Sequence, residues 1–444
     1  MKVNDIYTLE SNSINNYAKG VSKIDSLLVF TDNFYPGEIG KIKLTTLKKN
    51  YAFGEVVELI KKAPYRIPSV CDHSSDSGTC PLNDIEYQME LNIKKNLVLN
   101  NLNHNAKLGL SNIDIYSSEY KSGYRNKVTV FFNKEYEAGV FKEGTNDFRV
   151  IKSCVQIDDE ILNIINKLLS YLKEYKIDIC DLKRKTGNVK GVSIRKSTYN
   201  NDISVMIMSR FKDDTLYEIS NKLKDDFKTI KGISASIRKE FDTFIYSDKE
   251  IIYYGVPYIY EKILNVIYKV NNMSFLQVNT PGASILYDHS IHMFPLDKSY
   301  KVLDLYSGCG GISLNIAPYI NEVIGIEEVK SAVELANFNA KNNKIYNAKF
   351  YNDDSINYSK YVNPRDIDLL FLDPPRSGLG VNMCNKINES EFKRIVYVSC
   401  DSYTMSKDLL ILKEKYNILK VEAHNLFFRT RSVETILSLT LKEE

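Results

Sequence analysis

The sequence predicts an α/β chain of several domains: a C-terminal Rossmann-like doubly wound sheet, an N-terminal OB-like β-barrel and a central α+β segment. Three observations carry this. Residues 1–60 read as short strands between turns: VSKIDSLLVFTD alternates apolar and polar, PGE at 36–38 turns the chain, and KIKLTTL and YAFGEVVELI follow. From about 115 to 270 strands dominate (KVTVFF, AGVFK, GVSIRK, ISVMIMS, GISASIR, IIYYG), with helical interruptions near 158–175 and 214–228. After about 274 the pattern becomes strand–turn–helix repeated, in KVLDLYSGCGG, EVIGIEEVKSAVELANFNAKNN, IDLLFLDPP and RIVYVSC. Uninterrupted apolar strands alternating with helices specify a parallel sheet covered on both faces.

Length agrees with this division. A chain of 444 residues and 51.0 kDa is too long for one ordinary core. The expected boundaries are 1–60, 61–270 and 271–444. An amphipathic helix is expected after residue 81, with Leu82, Ile85, Met89, Ile93 and Leu97 on one face. It falls in the central segment and is expected to pack on the C-terminal domain. The formal charge is only +3, from 59 basic and 56 acidic residues, so any cationic surface must be local. Seven cysteines in a long chain do not read as a disulfide framework and suit a reducing cytoplasm. MKVNDIYTLESNS has no apolar signal core, and no run reaches the roughly 18 apolar residues of a membrane span. A monomer away from membranes is expected.

Two strand ends of the C-terminal segment read as a ligand site. VLDLYSGCGG brings an acid and glycines to the end of a buried strand, where glycine lets the backbone turn tightly and approach a ligand. VIGIEEV ends its strand in Glu327 and Glu328, and a carboxylate there can take both ribose hydroxyls. A glycine turn alone is more often only a turn. With the acidic second strand it favours an adenosine ligand, and because the spacing is not G-x-G-x-x-G, S-adenosylmethionine is favoured over a dinucleotide. FLDPPRSG at 371–378 places Asp373 at a third strand end before two stiffening prolines. IVYVSCDS at 395–402 delivers Cys400 to a fourth. A buried cysteine is by default a small hydrophobe, and Cys180, Cys309 and Cys384 are read that way.

DLYSGCGG, GIEEV, LDPPRSG, YVSC and SVET, with SFLQVN at 274–279 and YRNKV at 124–128 upstream, occur in one order. The chain resembles, over essentially its whole length, the S-adenosylmethionine-dependent RNA 5-methyluridine methyltransferases. Residues 1–60 resemble that family's TRAM domain through the PGE turn and YAFGEV. The resemblance implies a reason for Cys400. Uracil C5 is a poor carbon nucleophile, and a thiolate adding to C6 makes an enolate with electron density at C5. Cys400 would be that nucleophile, its thiolate fraction raised above that of a free thiol of pKa about 8.5. By the same resemblance Glu434 is the general base that takes the C5 proton; without it, Glu434 would read as a surface residue on a C-terminal strand. Gln277, Tyr306, Gly311, Glu327, Asp354 and Asp373 align with positions that hold S-adenosylmethionine, Glu327 toward the ribose and Asp354 toward the adenine edge. The chain departs from the family at Phe428 (commonly proline), Ser432 (commonly histidine), and Asp401 and Ser402 (usually Asn-Pro).

Ribosomal-RNA members hold a [4Fe–4S] cluster on four cysteines spaced C-x5-C-x2-C with the fourth far downstream. Cys71, Cys80 and Cys154 match the first, third and fourth, and Ser77 stands at the second. Four thiolates are the usual ligands. Ser77, Asp76 or His73 completing a labile cluster, a Cys3His zinc site, and a metal-free loop all stay open.

The expected partner is RNA, its uridine unpaired or flipped out so that both ring faces are reachable. An OB-like barrel suits single strands. GYRNK, with Tyr124, Arg125 and Lys127, and LKRKTGNVKGVSIRK at 182–196 supply local cations, though such runs are usually solvated faces. Family members with a TRAM-like domain usually modify ribosomal RNA, which favours 23S RNA over transfer RNA. The rivals are an amino methyltransferase, which DPPR and the extra thiol oppose, and a non-catalytic RNA-binding or assembly factor, which Cys400 and Glu434 together oppose.

Overall fold

The computed structural model describes residues 1–71, 79–142, 145, 147–244, 247 and 249–443. Six short strands form the first sheet: β1 (Ile6–Glu10), β2 (Ser13–Ile14), β3 (Gly20–Ile24), β4 (Leu27–Thr31), β5 (Ile39–Leu47) and β6 (Tyr51–Lys61), in the order β1-β5-β6-β4-β3-β2. Register shifts along β5 and β6 bend the pair, as bulges do, so the small sheet curls over Leu9, Val29, Phe34, Ile42 and Leu44. The PGE turn does more than reverse the chain. Glu38 is fully buried, accepts from the Tyr35 amide at 2.9 Å, and receives Arg66 Nε at 2.7 Å and Nη2 at 2.8 Å. Such a paired carboxylate fastens the barrel to the chain that leaves it.

The helix that follows is α1 (Tyr87–Asn105), leading to β7 (Asp114–Ser117). It starts five residues later than the first residue of its expected face. Leu82 and Ile85 lie before it, buried with Tyr35 and Ile93. Inside the helix the buried face is Glu90, Ile93, Lys94, Val98, Asn101 and Leu102. Three of these six are polar, which is why apolar periodicity misplaces the start. α1 and β7 join the C-terminal sheet, although in sequence they sit within the central segment.

The central sheet comprises β8 (Lys127–Phe132), β9 (Ala138–Phe141), β10 (Phe148–Val150), β11 (Val189–Lys196), β12 (Ile203–Ser209), β13 (Ile230–Ile237) and β14 (Glu250–Gly255), ordered β10-β9-β8-β11-β12-β13-β14. Helices α2 (Asp159–Glu174) and α3 (Thr215–Asp226) bury Ile161, Ile164, Leu168 and Leu216, Ile219, Leu223 against it. A hairpin, β15 (Tyr258–Ile263) and β16 (Val266–Asn271), leads to the last sheet.

That sheet alternates with helices: α4 (Thr280–Ile291), β17 (Lys301–Leu305), α5 (Gly311–Ile316), β18 (Glu322–Glu327), α6 (Lys330–Asn342), β19 (Ala348–Asn352), β20 (Leu369–Leu372), α7 (Gly380–Ser390), β21 (Arg394–Ser399), α8 (Ser402–Leu412), β22 (Tyr416–Asn425) and β23 (Glu434–Leu441). The order is β19-β18-β17-β20-β21-β23-β22-β7. β23 runs antiparallel between β21 and β22, and the other pairings are parallel. α4, α5 and α6 pack on one face and α1, α7 and α8 on the other. Leu303, Leu305, Leu370, Val396 and Tyr397 are therefore fully buried. Burying a side chain such as leucine contributes about 1.5–3 kcal/mol, which explains the uninterrupted apolar runs. The topology is the doubly wound one expected, and it opens a crevice at the carboxyl ends of the parallel strands.

Candidate active site

The chain leaves β17 through a turn with three left-handed residues, two of them glycine. Tyr306, Gly308 and Gly310 have φ of 68°, 55° and 86°. A Cβ on Gly308 would meet nothing within 4 Å, so its backbone borders open space. At Gly311 a Cβ would come within 2.6 Å of the Tyr287 hydroxyl, so packing against α4 demands glycine there. Glu327, at the end of β18, accepts from the Gly308 amide at 3.0 Å and the Val329 amide at 2.8 Å. Each carboxylate oxygen has used one acceptor site, which leaves capacity for a pair of hydroxyls. Asp354 is exposed and caps the turn after β19 through the Ile356 amide at 3.0 Å. Its neighbour Asp353 is committed to structure, binding Lys360, Asn357 and Tyr361, which hold its carboxyl well below the usual range. Tyr306 is half-buried beside these acids; burial first and Asp354 second raise its hydroxyl pKa. The cradle of glycines, ring and terminal carboxylate fits an adenosine ligand.

Gln277 is buried, and its carbonyl accepts from Asn126 Nδ2 at 3.1 Å. The same amide reaches Thr280 Oγ1 at 2.9 Å, and the Asn126 N–H donates to Val278 O at 2.8 Å. Asn126, from the YRNKV stretch, thus clamps the entry of α4 to the central sheet, a role the sequence did not suggest.

The thiol and the second carboxylate meet at the end of the neighbouring strands. β21 and β23 pair with Ser399 opposite Thr435, so the next step sets Cys400 opposite Glu434. Glu434 is buried, and burial pushes its carboxyl up to about 7 against the pull of the Arg376 charge. Burial pushes the half-buried Cys400 thiol up to about 12; Glu434 and Asp373 add to the shift, while Arg376 opposes it by charge and by a hydrogen bond. Asp373, raised by burial, then by Glu434 and Asp304, is a third acid in the same crevice. Arg376, the arginine of DPPR, was not singled out in the sequence, yet it acts on both Cys400 and Glu434. Its loop is anchored from behind: buried Asp408 accepts from the Leu379 amide at 2.8 Å, the Gly380 amide at 3.1 Å and the Tyr397 hydroxyl at 2.6 Å. The departures at Asp401 and Ser402 leave a capped helix, since Asp401 accepts from the Tyr403 and Thr404 amides at 2.9 and 3.1 Å.

The loop before Glu434 hangs on residues distant in sequence. Buried Lys94 donates to Glu90 at 2.9 Å, Asn425 Oδ1 at 2.7 Å and the Phe427 carbonyl at 2.9 Å, and Glu90 accepts from the Arg429 amide at 3.0 Å. Gln156 Nε2 donates to the Phe428 carbonyl at 3.1 Å and lies 2.9 Å from Cys80 Sγ. Cys71 accepts from the Val155 amide at 3.2 Å and is in hydrogen-bond contact with Cys154. Cys71, Cys80 and Cys154 therefore gather against the loop that leads to Glu434. Burial pushes the Cys80 thiol up to about 11, and contact with Cys71, then burial, raises Cys154. Ser77, Asp76 and His73 lie outside the described residues. A cavity of about 250 Å³ borders this region, lined by Cys80, Cys154, Arg125, Arg376, Arg431 and Ser432 among others. Cys180, Cys309 and Cys384 are buried, as small hydrophobes are.

The family described as tRNA (Uracil-5-)-methyltransferase matches residues 86–442. An uncharacterized RNA methyltransferase of Lactobacillus johnsonii is 31% identical over 100% of both chains, and one of Clostridium tetani is 31% identical over 98% of both. Among solved structures, the Pyrococcus abyssi tRNA (uracil-54, C5)-methyltransferase in complex with S-adenosyl-L-homocysteine superposes with a TM-score of 0.78. That match covers 98% of this chain and 100% of the other at 21% identity, and it speaks to the fold.

Proposed function

From the premise that the chain belongs to the tRNA (uracil-5-)-methyltransferase family, we propose that it methylates C5 of an unpaired uridine in 23S ribosomal RNA through a covalent Cys400–C6 adduct. That it is an S-adenosylmethionine-dependent RNA uracil-5 methyltransferase follows from the family itself. The facing of Cys400 and Glu434 at the end of the β21–β23 ladder carries the covalent reading.

S-adenosylmethionine supplies an electrophilic sulfonium methyl, and Gln277, Tyr306, Gly311, Glu327, Asp354 and Asp373 are the residues that would hold it. The remaining work belongs to side chains of this protein. The Cys400 thiolate forms the S–C6 bond, and the C5–C6 π electrons move toward C5 and O4, making C5 nucleophilic. Contrary to the raised thiolate fraction expected from the sequence, burial disfavours the Cys400 thiolate in the free protein, and Arg376 offsets part of that cost. Once C5 is methylated, Glu434 takes the C5 proton, and the electrons of that C–H bond restore the double bond and expel the Cys400 sulfur. A carboxylate with a pKa near 7 matches this task, because it is substantially ionised at neutral pH yet basic enough to accept the proton.

We read Cys71, Cys80 and Cys154 as ligands of an oxygen-labile [4Fe–4S] cluster. Burial raises the Cys80 thiol, and contact with Cys71, then burial, raises that of Cys154, so a metal bound there would displace their protons. Such a cluster would brace Gln156 and, through it, the Phe428 carbonyl.

Ribosomal RNA is favoured by the N-terminal barrel. A second reading is transfer RNA, because the Pyrococcus abyssi protein, named for a tRNA uracil, aligns over its whole length, barrel region included. Incubation with labelled S-adenosylmethionine and separate 23S and transfer RNA from cells lacking the enzyme decides between them. Label in 5-methyluridine of 23S RNA alone is expected; label only in transfer RNA overturns the substrate assignment, and label in another nucleoside overturns the chemistry.

A further inference from the structure

We propose that His289, Glu422 and His424 form a divalent transition-metal site, suited to zinc, on the face of the C-terminal sheet covered by α4. Glu422 and His424 are two residues apart on β22 and so project to one face of the strand. His289 comes down on them from α4. The candidate ligand atoms lie within 4.8 Å of one another. His289 Nδ1 is 2.8 Å, and His424 Nε2 3.4 Å, from the same oxygen, Glu422 Oε2. Metal–ligand bonds of about 2.0–2.1 Å in tetrahedral array set neighbouring ligand atoms about 3.3 Å apart. The two carboxylate–imidazole spacings bracket that value, and the imidazole nitrogens, within 4.8 Å of each other, close on the ion by a side-chain adjustment of His289, the most exposed of the three.

The surroundings fit a metal as well. Glu422 and His424 are each 1% exposed, whereas the His289 side chain is 27% exposed and leaves an entry path. The other carboxylate oxygen, Oε1, is held by Lys420 at 2.5 Å, which fixes Glu422 as a one-oxygen ligand. Tyr116 of β7 packs its ring 4.3 Å from that of His289 and 5.3 Å from that of His424, fencing the site from the sheet edge. His424 Nδ1 is buried without a hydrogen-bond partner among the described residues. Two imidazoles and a carboxylate are the borderline donor set that zinc and cobalt accept, with one coordination position left for water. The ion would join α4, whose first turn abuts Gln277, to the edge of the sheet. No thiol belongs to this set, so the site is separate from the cysteine region.

Cobalt(II) titration of the full chain tests the proposal, because thiolate ligation gives an intense charge-transfer band and nitrogen–oxygen ligation does not. In Cys80→Ser, where the cysteine cluster is broken, the expected result is one equivalent with d–d absorption and no charge transfer, lost when His289→Ala or Glu422→Gln is added. In the same Cys80→Ser background zinc should also raise the melting midpoint by about 2–4 °C and leave the variant that adds His289→Ala unmoved. His289 is partly exposed, so its replacement should not disturb folding, which circular dichroism verifies. Equal thiolate-free cobalt binding by Cys80→Ser with and without His289→Ala, or none by either, overturns the proposal.

Discussion

Cys400 and Glu434 face each other one step beyond the Ser399–Thr435 pair, where β21 and β23 reach the crevice. One comes from a strand end that also carries the YVSC signature, the other from a strand inserted antiparallel beside it. On the proposed mechanism the pairing sets the nucleophile and the proton acceptor opposite each other at the end of one ladder, so the β21–β23 register fixes their mutual position.

Cys400→Ala should abolish turnover while S-adenosylmethionine binding, followed by calorimetry, stays within about two-fold of wild type. On the proposed mechanism the thiol acts on the base and not on S-adenosylmethionine. Methylation persisting at more than a trace in this variant would falsify the covalent route.

Glu434→Gln should trap the RNA. The adduct still forms and C5 is still methylated, but the C5 proton has no acceptor and sulfur is not expelled. A denaturing gel should show a slow-migrating protein–RNA band that accumulates with S-adenosylmethionine. Wild-type turnover without that band would assign the base to another group, Asp373 being a candidate because its charge also acts on Cys400. In the wild-type enzyme the elimination rate should rise with pH through about 7 as Glu434 ionises.

The same carboxyl makes a stability prediction of opposite sign. Burial lifts Glu434 from its ordinary 4.5 to about 7 in the folded protein. Its contribution is fully present below pH about 4.5 and is lost as pH rises through 7, where the native state must hold a buried anion. Glutamine stays neutral. Glu434→Gln should therefore melt close to wild type near pH 4.5 and a few degrees above it at pH 8.5. Asp373 titrates with Glu434 as a pair, so the measured midpoint belongs to both. A constant difference between the two pH values would show that burial does not perturb this carboxyl.

Lys94→Met should destabilise the protein by about 3 kcal/mol, because it leaves Glu90 as a buried charge short of its cation. It also removes the donor to the Phe427 carbonyl, loosening the loop before Glu434. Chemical denaturation measures the first effect. The second should appear as a lower single-turnover rate at temperatures where the variant is still folded; a normal rate there would show that the loop does not need Lys94.

Protein purified without oxygen should be brown and contain about four iron atoms per chain, as a [4Fe–4S] cluster requires. Ser77→Cys should slow its loss in air, since a thiolate replaces a harder ligand, and Cys80→Ser should bleach it. Iron absent under strict anaerobiosis would remove the cluster and leave the methyltransferase assignment intact.

The doubly wound sheet, the glycine turn, Glu327 at a strand end and Cys400 at another were legible in the sequence, because uninterrupted apolar runs and glycine clusters are local signals. What surrounds them was not. Glu434 carried no local mark of burial, and only insertion of β23 between β21 and β22 makes it an interior acid facing a thiol. Arg376 carried no mark of its own beyond the DPPR motif, and only the fold of its loop, tied back by Asp408, brings its charge to Cys400. α1 misled apolar periodicity because Glu90, Lys94 and Asn101 occupy its buried face, where their partners arrive from residues more than 300 positions away. Cys71, Cys80 and Cys154 lie far in sequence from Glu434, and only the fold lets Gln156 link Cys80 to the loop before it. His289, Glu422 and His424 had no spacing to betray them. Local sequence determines which strand end presents a group, whereas the meeting of groups from different strands depends on sheet order and register, which the tertiary core alone decides.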